Sequence, residues 1–165
     1  MARIIAAALT SRVTLRQNTR VPIDLKKLHP VDEAGQLFIS PVIHDWDIVS
    51  SYGIDTVLDM EGGLDECIPT HPNGCLYVYF PIYDEDLPNL DKLEAVAALG
   101  AHLIASGHRV LSHCGMGYNR SALVAGRILH RLGAGTGAEI VEQIRRKRPG
   151  ALFNEVFAEH LRGLG

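Results

Sequence analysis

Apolar residues along this chain gather into short clusters of two kinds. Leu37-Phe38-Ile39-Ser40, Ile54 to Met60, Cys75 to Ile82 and His108 to His113 are brief apolar runs with the pattern of strands, the last of them a buried one. Between and after them the apolar positions take helical spacing. Val42, Trp46 and Val49 share one helix face within Val42 to Tyr52, and Gly53 closes that segment. Asn89 is placed to cap a long helix from Leu90 to Ser106 that stops at Gly107. Helices are also predicted over 121–132, over 136–147 after the Gly133-Ala134-Gly135 turn, and from an Asn154 cap to Leu161 beyond the break at Pro149-Gly150. Upstream, Arg12-Val13-Thr14-Leu15 reads as a strand and Pro22 to Gly35 as a connecting loop. Strands alternating with helices predict an α/β fold, a central and largely parallel sheet flanked by helices. There are no repeats and no interdomain linker, so one domain is expected over 1–165: an N-terminal extension, 1–36, and a core, 37–162.

Composition narrows the class without choosing a function. With 47% hydrophobic and 21% charged residues, the 165-residue chain can bury a full core without metal or disulfide help. A net charge of −3 gives no general attraction to nucleic acid or to an anionic membrane, so neither is an expected partner. No apolar run nears the roughly 20 residues that span a bilayer. Cys67, Cys75 and Cys114 make no disulfide framework, and three cysteines suit a reducing compartment, hence a cytoplasmic protein. The first 23 residues carry Arg3, Arg12, Arg16 and Arg20 with no acid, a faint likeness to a transit segment. Oligomeric state is not legible.

The stretch that carries chemistry is His113-Cys114-Gly115-Met116-Gly117-Tyr118-Asn119-Arg120-Ser121. A strand leads into it and a helix leads out, so several backbone N–H groups and a helix dipole converge on one point. A phosphate dianion suits that point, and so does the thiolate of Cys114 at the loop's start. Arg120 adds a planar fork able to bind two phosphate oxygens. Gly115 and Gly117 allow the backbone angles of so tight a ring.

Cys-x5-Arg-Ser in this setting resembles the signature of the cysteine-dependent protein tyrosine phosphatases, in particular their dual-specificity branch. The resemblance implies a metal-independent, cofactor-free hydrolysis of phosphate monoesters. Cys114 would be the nucleophile and form a phosphocysteine, Arg120 and the amides of Gly115, Met116, Gly117, Tyr118 and Asn119 would bind the phosphate, and the Ser121 hydroxyl would ease departure of the thiolate. His113 matches the family's supporting histidine beneath the loop. In that branch the general acid follows a strand-ending proline by three residues. Pro81-Ile82-Tyr83-Asp84 has that spacing, which favours Asp84 and leaves Asp86 as the alternative. Downstream, Arg148-Pro149 followed by Asn154 and Phe157 also resembles the family, while the basic run 145–148 by itself reads as a solvated helix end.

Two loop positions depart from the family's common pattern: Met116, where many members have Ala, and Asn119, where many have Ser or Gly. Asn at that position is shared with RNA 5′-triphosphatases, whose Thr-His pair is replaced here by Gly115-Met116. Phosphoinositide phosphatases often carry loop lysines, and this loop has no charge besides Arg120. A phosphotyrosyl or phosphoseryl/threonyl protein or peptide is therefore the expected substrate, with an RNA 5′-triphosphate, a phosphoinositide, or mere phosphate binding as alternatives. With no aromatic recognition loop ahead of the core, a shallow pocket is expected. Cys67 and Cys75 are read as core or loop residues, or as a resolving thiol for oxidised Cys114. Cys67 with His71 lacks further zinc ligands, and the histidines show no metal-binding spacing.

Overall fold

The computed structural model describes residues 27–165. Five strands, β1 (His29–Pro30), β2 (Leu37–Ser40), β3 (Thr56–Asp59), β4 (Leu76–Tyr79) and β5 (Val110–His113), form one sheet in the order β1-β2-β5-β3-β4. β1 runs antiparallel to β2, and every other pairing is parallel. Five helices cover it: α1 (Trp46–Ser51), α2 (Leu90–Ala105), α3 (Arg120–Arg131), α4 (Gly137–Lys147) and α5 (Glu155–Arg162).

Side chains alternate across the strands and so feed two cores. Leu37 and Ile39 of β2, Leu58 of β3 and Val110 of β5 join the large core under α2 to α5. Phe38, Val57 and Leu111 turn to the other face, against Val49 of α1 and Ile54. α3 is apolar on most of its circumference, from Ala122 to Leu129, because other helices enclose it. β5 lies at the middle of the sheet, and its carboxyl end delivers the chain directly to α3. Open α/β sheets place their ligands at such strand ends.

The predicted helix boundaries at Asn89, Thr136 and Asn154 coincide with observed caps. Asn89 accepts from the Lys92 N–H, Thr136 and Glu139 form a reciprocal capping box, and Asn154 accepts from the N–H groups of Val156 and Phe157. Three expectations are corrected. The helix expected over Val42 to Tyr52 begins only at Trp46, because Asp45 caps it through the Asp47 N–H while Val42 bonds to the Gly115 carbonyl. The Pro22 to Gly35 loop contains β1, a two-residue strand too short to leave a hydropathy pattern. The strands expected over Ile54 to Met60 and Cys75 to Ile82 shorten to four residues each. The strand expected at Arg12 to Leu15, and the basic run with it, lie outside the described residues.

Candidate active site

The loop 114–119 is a ring held from outside. The carbonyl of Gly115 accepts from the Val42 N–H (3.4 Å), and that of Tyr118 accepts from the Leu152 N–H (2.9 Å). The Met116 and Gly117 carbonyls, between them, accept from Nη2 and Nε of Arg148 (3.3 Å each). Each planar trans peptide carries its N–H opposite its C=O. Turning four successive carbonyls outward therefore turns the N–H groups of Met116, Gly117, Tyr118 and Asn119 inward. Those four N–H groups have no hydrogen-bond partner among the described residues. Successive inward amides ahead of a helix make an anion cradle.

Cys114 is buried within this ring, its Sγ 3.5 Å from Oγ of Ser121. Arg120 crosses the ring's mouth. Its Nη1 donates to the carbonyls of Met60 (3.2 Å) and Ile82 (3.3 Å), its Nη2 donates to Glu61 Oε2 (2.9 Å), and its buried Nε has no partner among the described residues. Burial opposes the guanidinium charge, but Glu61, Cys114 and Asp84 outweigh it and raise its pKa. Burial likewise opposes the Glu61 carboxylate, yet donors from Gly62, Arg120 and Gly115 hold its pKa below the usual value. Glu61 is a site residue that sequence reasoning missed, since nothing in Met60-Glu61-Gly62-Gly63 marks it except its place after a strand.

Asp84 stands at the same mouth. Its Oδ2 accepts from Nδ2 of Asn119 (2.9 Å) and its Oδ1 from Nδ2 of Asn154 (3.1 Å). Asp86 instead lines a separate cleft with Asn89 and Lys92, so the structure brings Asp84 and not Asp86 to the loop. Met116 on the loop, Phe153 beside the Tyr118 ring and Tyr83, next in sequence to Asp84, are exposed.

His113 lies fully buried beneath the loop, its Nε2 2.8 Å from Asp65 Oδ2 and 3.4 Å from Asp59 Oδ1. The Tyr77 hydroxyl donates to Asp59 and stands 3.1 Å from Asp65 Oδ2. Burial pushes the Asp59 carboxyl up, against the pull of Tyr77 and the Glu61 N–H, and burial together with Asp59 pushes the Tyr77 phenol up. Donor atoms of Asp59, Asp65 and His113 fall within 4.8 Å of one another, a grouping that no sequence spacing announced. The Tyr77 hydroxyl bonds to both carboxylates, whereas neither buried ring nitrogen of His113 has a hydrogen-bond partner among the described residues.

Arg148 corrects another expectation. The basic run 145–148 reads as a solvated helix end, but Arg148 is buried, stacks 4.2 Å from the centre of the Tyr118 ring, and has Nη1 2.6 Å from Nε2 of His29. The other three basic residues of the run do carry exposed surface. Tyr118 thus contributes its backbone to the ring while its side chain packs beneath Arg148. Cys75 directly precedes β4, at the opposite ends of the parallel strands from Cys114. Cys67 is exposed and lines a cleft with Trp46 and Glu61.

A central five-stranded sheet with helices on both faces and a Cys-x5-Arg ring between β5 and α3 is the fold seen in solved dual-specificity phosphatases. Among solved structures, the chain is similar to human DUSP28 (21% identity, 82% of this chain and 90% of that one, TM-score 0.69). It is also similar to the Yvh1 phosphatase domain of Chaetomium thermophilum (21% identity, 82% and 94%, TM-score 0.67). A third is PTPMT1 solved with PI(5)P (18% identity, 82% and 94%, TM-score 0.65). No family model and no curated protein matches the sequence.

Proposed function

We propose that this protein is a metal-independent phosphatase that hydrolyses phosphate monoesters through a phosphocysteine, acting on phosphotyrosyl and phosphoseryl/threonyl proteins. One observation carries the reading: four inward amides and the Nε of Arg120, all without a partner among the described residues, lie about the buried sulfur of Cys114. Donors so arranged match the equatorial oxygens of a phosphoryl group in transfer. The sulfur attacks phosphorus in line, the S–P bond forms as the P–O ester bond breaks, and protonated Asp84 delivers its proton to the leaving oxygen. Asp84, now a carboxylate, takes a proton from water as that water attacks the phosphocysteine. Phosphate leaves, and Ser121 donates a hydrogen bond to the departing thiolate.

The rim favours a protein substrate. Tyr83, Met116 and Phe153 offer an apolar collar that fits the body of a phosphotyrosine, and no lysine lies in the loop. A phosphoinositide is the second reading, carried by the similarity to PTPMT1. Glu61, bonded to Arg120, and Asp84, bonded to Asn119, stand at the mouth and oppose a polyanionic headgroup. The three free thiols suit a reducing compartment, and the cytoplasm is the setting proposed here. No helix among the described residues is long and apolar enough to cross a membrane.

The deciding experiment is hydrolysis of p-nitrophenyl phosphate with a chelator present. Turnover in the wild-type protein that vanishes in Cys114→Ser supports the reading. A requirement for a divalent metal, or activity persisting in Cys114→Ser, refutes it. A panel of phosphotyrosyl and phosphoseryl peptides beside a phosphoinositide then separates the two substrate classes.

A further inference from the structure

Asn119 sits at the N-cap position of α3, where an asparagine ordinarily spends its side chain on the first N–H groups of its own helix. Here it makes no such bond. Its amide is instead used elsewhere: Nδ2 donates to Asp84 Oδ2 (2.9 Å), and Oδ1 accepts from the Asn154 backbone N–H (3.0 Å). The residue is buried, so this is a fixed arrangement and not a surface contact. Asn154 closes the figure from the other side. Its Oδ1 caps α5 while its Nδ2 donates to Asp84 Oδ1 (3.1 Å) and to the Glu85 carbonyl (3.0 Å). Three segments far apart in sequence are thereby tied into one ring: the phosphate loop, the loop after β4, and the start of α5.

We infer that Asn119 and Asn154 are positioning residues that hold Asp84 in place as the general acid, so that the acid is set by the phosphate loop itself. The inference rests on the phosphatase reading above and deepens it. Each carboxylate oxygen can accept two hydrogen bonds. Asn119 and Asn154 take one site on each, which leaves room on Asp84 for the proton that passes to the leaving oxygen. A carboxyl group fixed in this way spends no ordering entropy when substrate arrives. It also explains why the loop carries Asn at its sixth position: a Ser or Gly there could not reach Asp84 while also meeting the Asn154 backbone.

The test reads dependence on the leaving group through kcat/KM, which covers steps up to the first irreversible transfer to Cys114. p-Nitrophenolate leaves readily without a proton, whereas the phenolate of phenyl phosphate needs one. Asn119→Ala is expected to lower kcat/KM for phenyl phosphate about tenfold or more relative to its effect on p-nitrophenyl phosphate. Asn154→Ser keeps an N-cap oxygen for α5 but removes the arm to Asp84, and it should shift the same ratio in the same direction. In an Asp84→Ala background neither change should lower the phenyl phosphate rate further, because the group it positions is gone. Equal losses on both substrates in both variants, or losses that add to Asp84→Ala, would overturn the inference and leave the phosphatase reading standing. Wild-type protein that turns over neither ester would overturn both. Should Asn119→Ala fail to fold, Asn154→Ser decides alone.

Discussion

Gly117 and Ser40 pass so close that no methyl group fits between them. A Cβ on Gly117 would lie 2.4 Å from the Ser40 carbonyl carbon and 2.5 Å from the Pro41 nitrogen, and both neighbours are backbone. Gly117 also has φ +68°, which L side chains rarely adopt. The end of β2 is therefore a wall against which the phosphate loop is pressed.

From that contact, Gly117→Ala is expected to cost about 2–4 kcal/mol of stability, combining overpacking with an unfavourable φ. It should also abolish vanadate binding, because the ring can relieve the clash only by opening. Gly62→Ala is the control: open space surrounds that position, and the change should fall within about 0.5 kcal/mol of wild type. Urea unfolding and vanadate titration make the comparison. A Gly117→Ala protein that still binds vanadate at wild-type affinity would show that the loop is not held against β2.

Glu61 bonds to Arg120 Nη2 while receiving the N–H groups of Gly62 and Gly115. Its folded pKa lies below the ordinary 4.5, so the native state holds the carboxylate more firmly than the unfolded chain does. The stability this contributes is complete above that ordinary value and is lost as pH falls through the lowered folded one. Glu61→Gln keeps the size but weakens the hold on the guanidinium. Activity should fall about tenfold to a hundredfold through misplacement of Arg120, with unchanged protein concentration dependence. Steady-state kinetics at pH 6–7 check it, and a rate within twofold of wild type would mean that the Met60 and Ile82 carbonyls alone orient Arg120.

The contrast between Arg120 and Arg148 shows where sequence reading ends. Arg120 was legible because the spacing from Cys114, the flanking glycines and the strand-to-helix switch all lie within one contiguous stretch. Asp84 was legible through its distance from Pro81. Arg148, Glu61 and the Asp59–Asp65–Tyr77 group beneath His113 were not, since each acquires its role only when the fold brings segments distant in sequence together. Charge pattern misled at Arg148, where a run of four basic residues resembles a solvated helix end although its last member is turned inward. The sequence pattern likewise placed α1 one turn early, because Val42 keeps helical spacing while its backbone is already committed to the phosphate loop.

Arg148 holds two carbonyls of the loop and stacks on Tyr118. Arg148→Met fills the same space without the donors, leaving the Met116 and Gly117 carbonyls unpaired. The expected cost is about 2–4 kcal/mol, with a matching loss of phosphate affinity. Arg148→Lys restores the charge but not the planar fork, and it should recover less than half of the lost stability. Chemical denaturation of the three proteins, with and without inorganic phosphate, measures both effects. Full recovery by lysine would assign the residue a role through charge alone.

Asp59 makes the opposite pH argument to Glu61. Burial raises its folded pKa above the ordinary 3.8, so between those two values the native state binds a proton that the unfolded chain has released. Native stability attributable to this group is therefore greatest below the ordinary value and declines as pH rises through the raised one, where the buried carboxylate must ionise. Asp59→Asn removes the ionisation while keeping an oxygen for the Glu61 N–H and a polar neighbour for Tyr77. Its stability relative to wild type should accordingly improve from pH 4 to pH 7.5. Asp59→Ala, which strands the Glu61 N–H, should be less stable than wild type across that range, by about 1–3 kcal/mol. Urea melts of the three proteins at both pH values decide the matter. An Asn variant as unstable at pH 7.5 as the Ala variant would mean that His113, 3.4 Å away, needs a charged carboxylate beside it and that the pair is held together by charge.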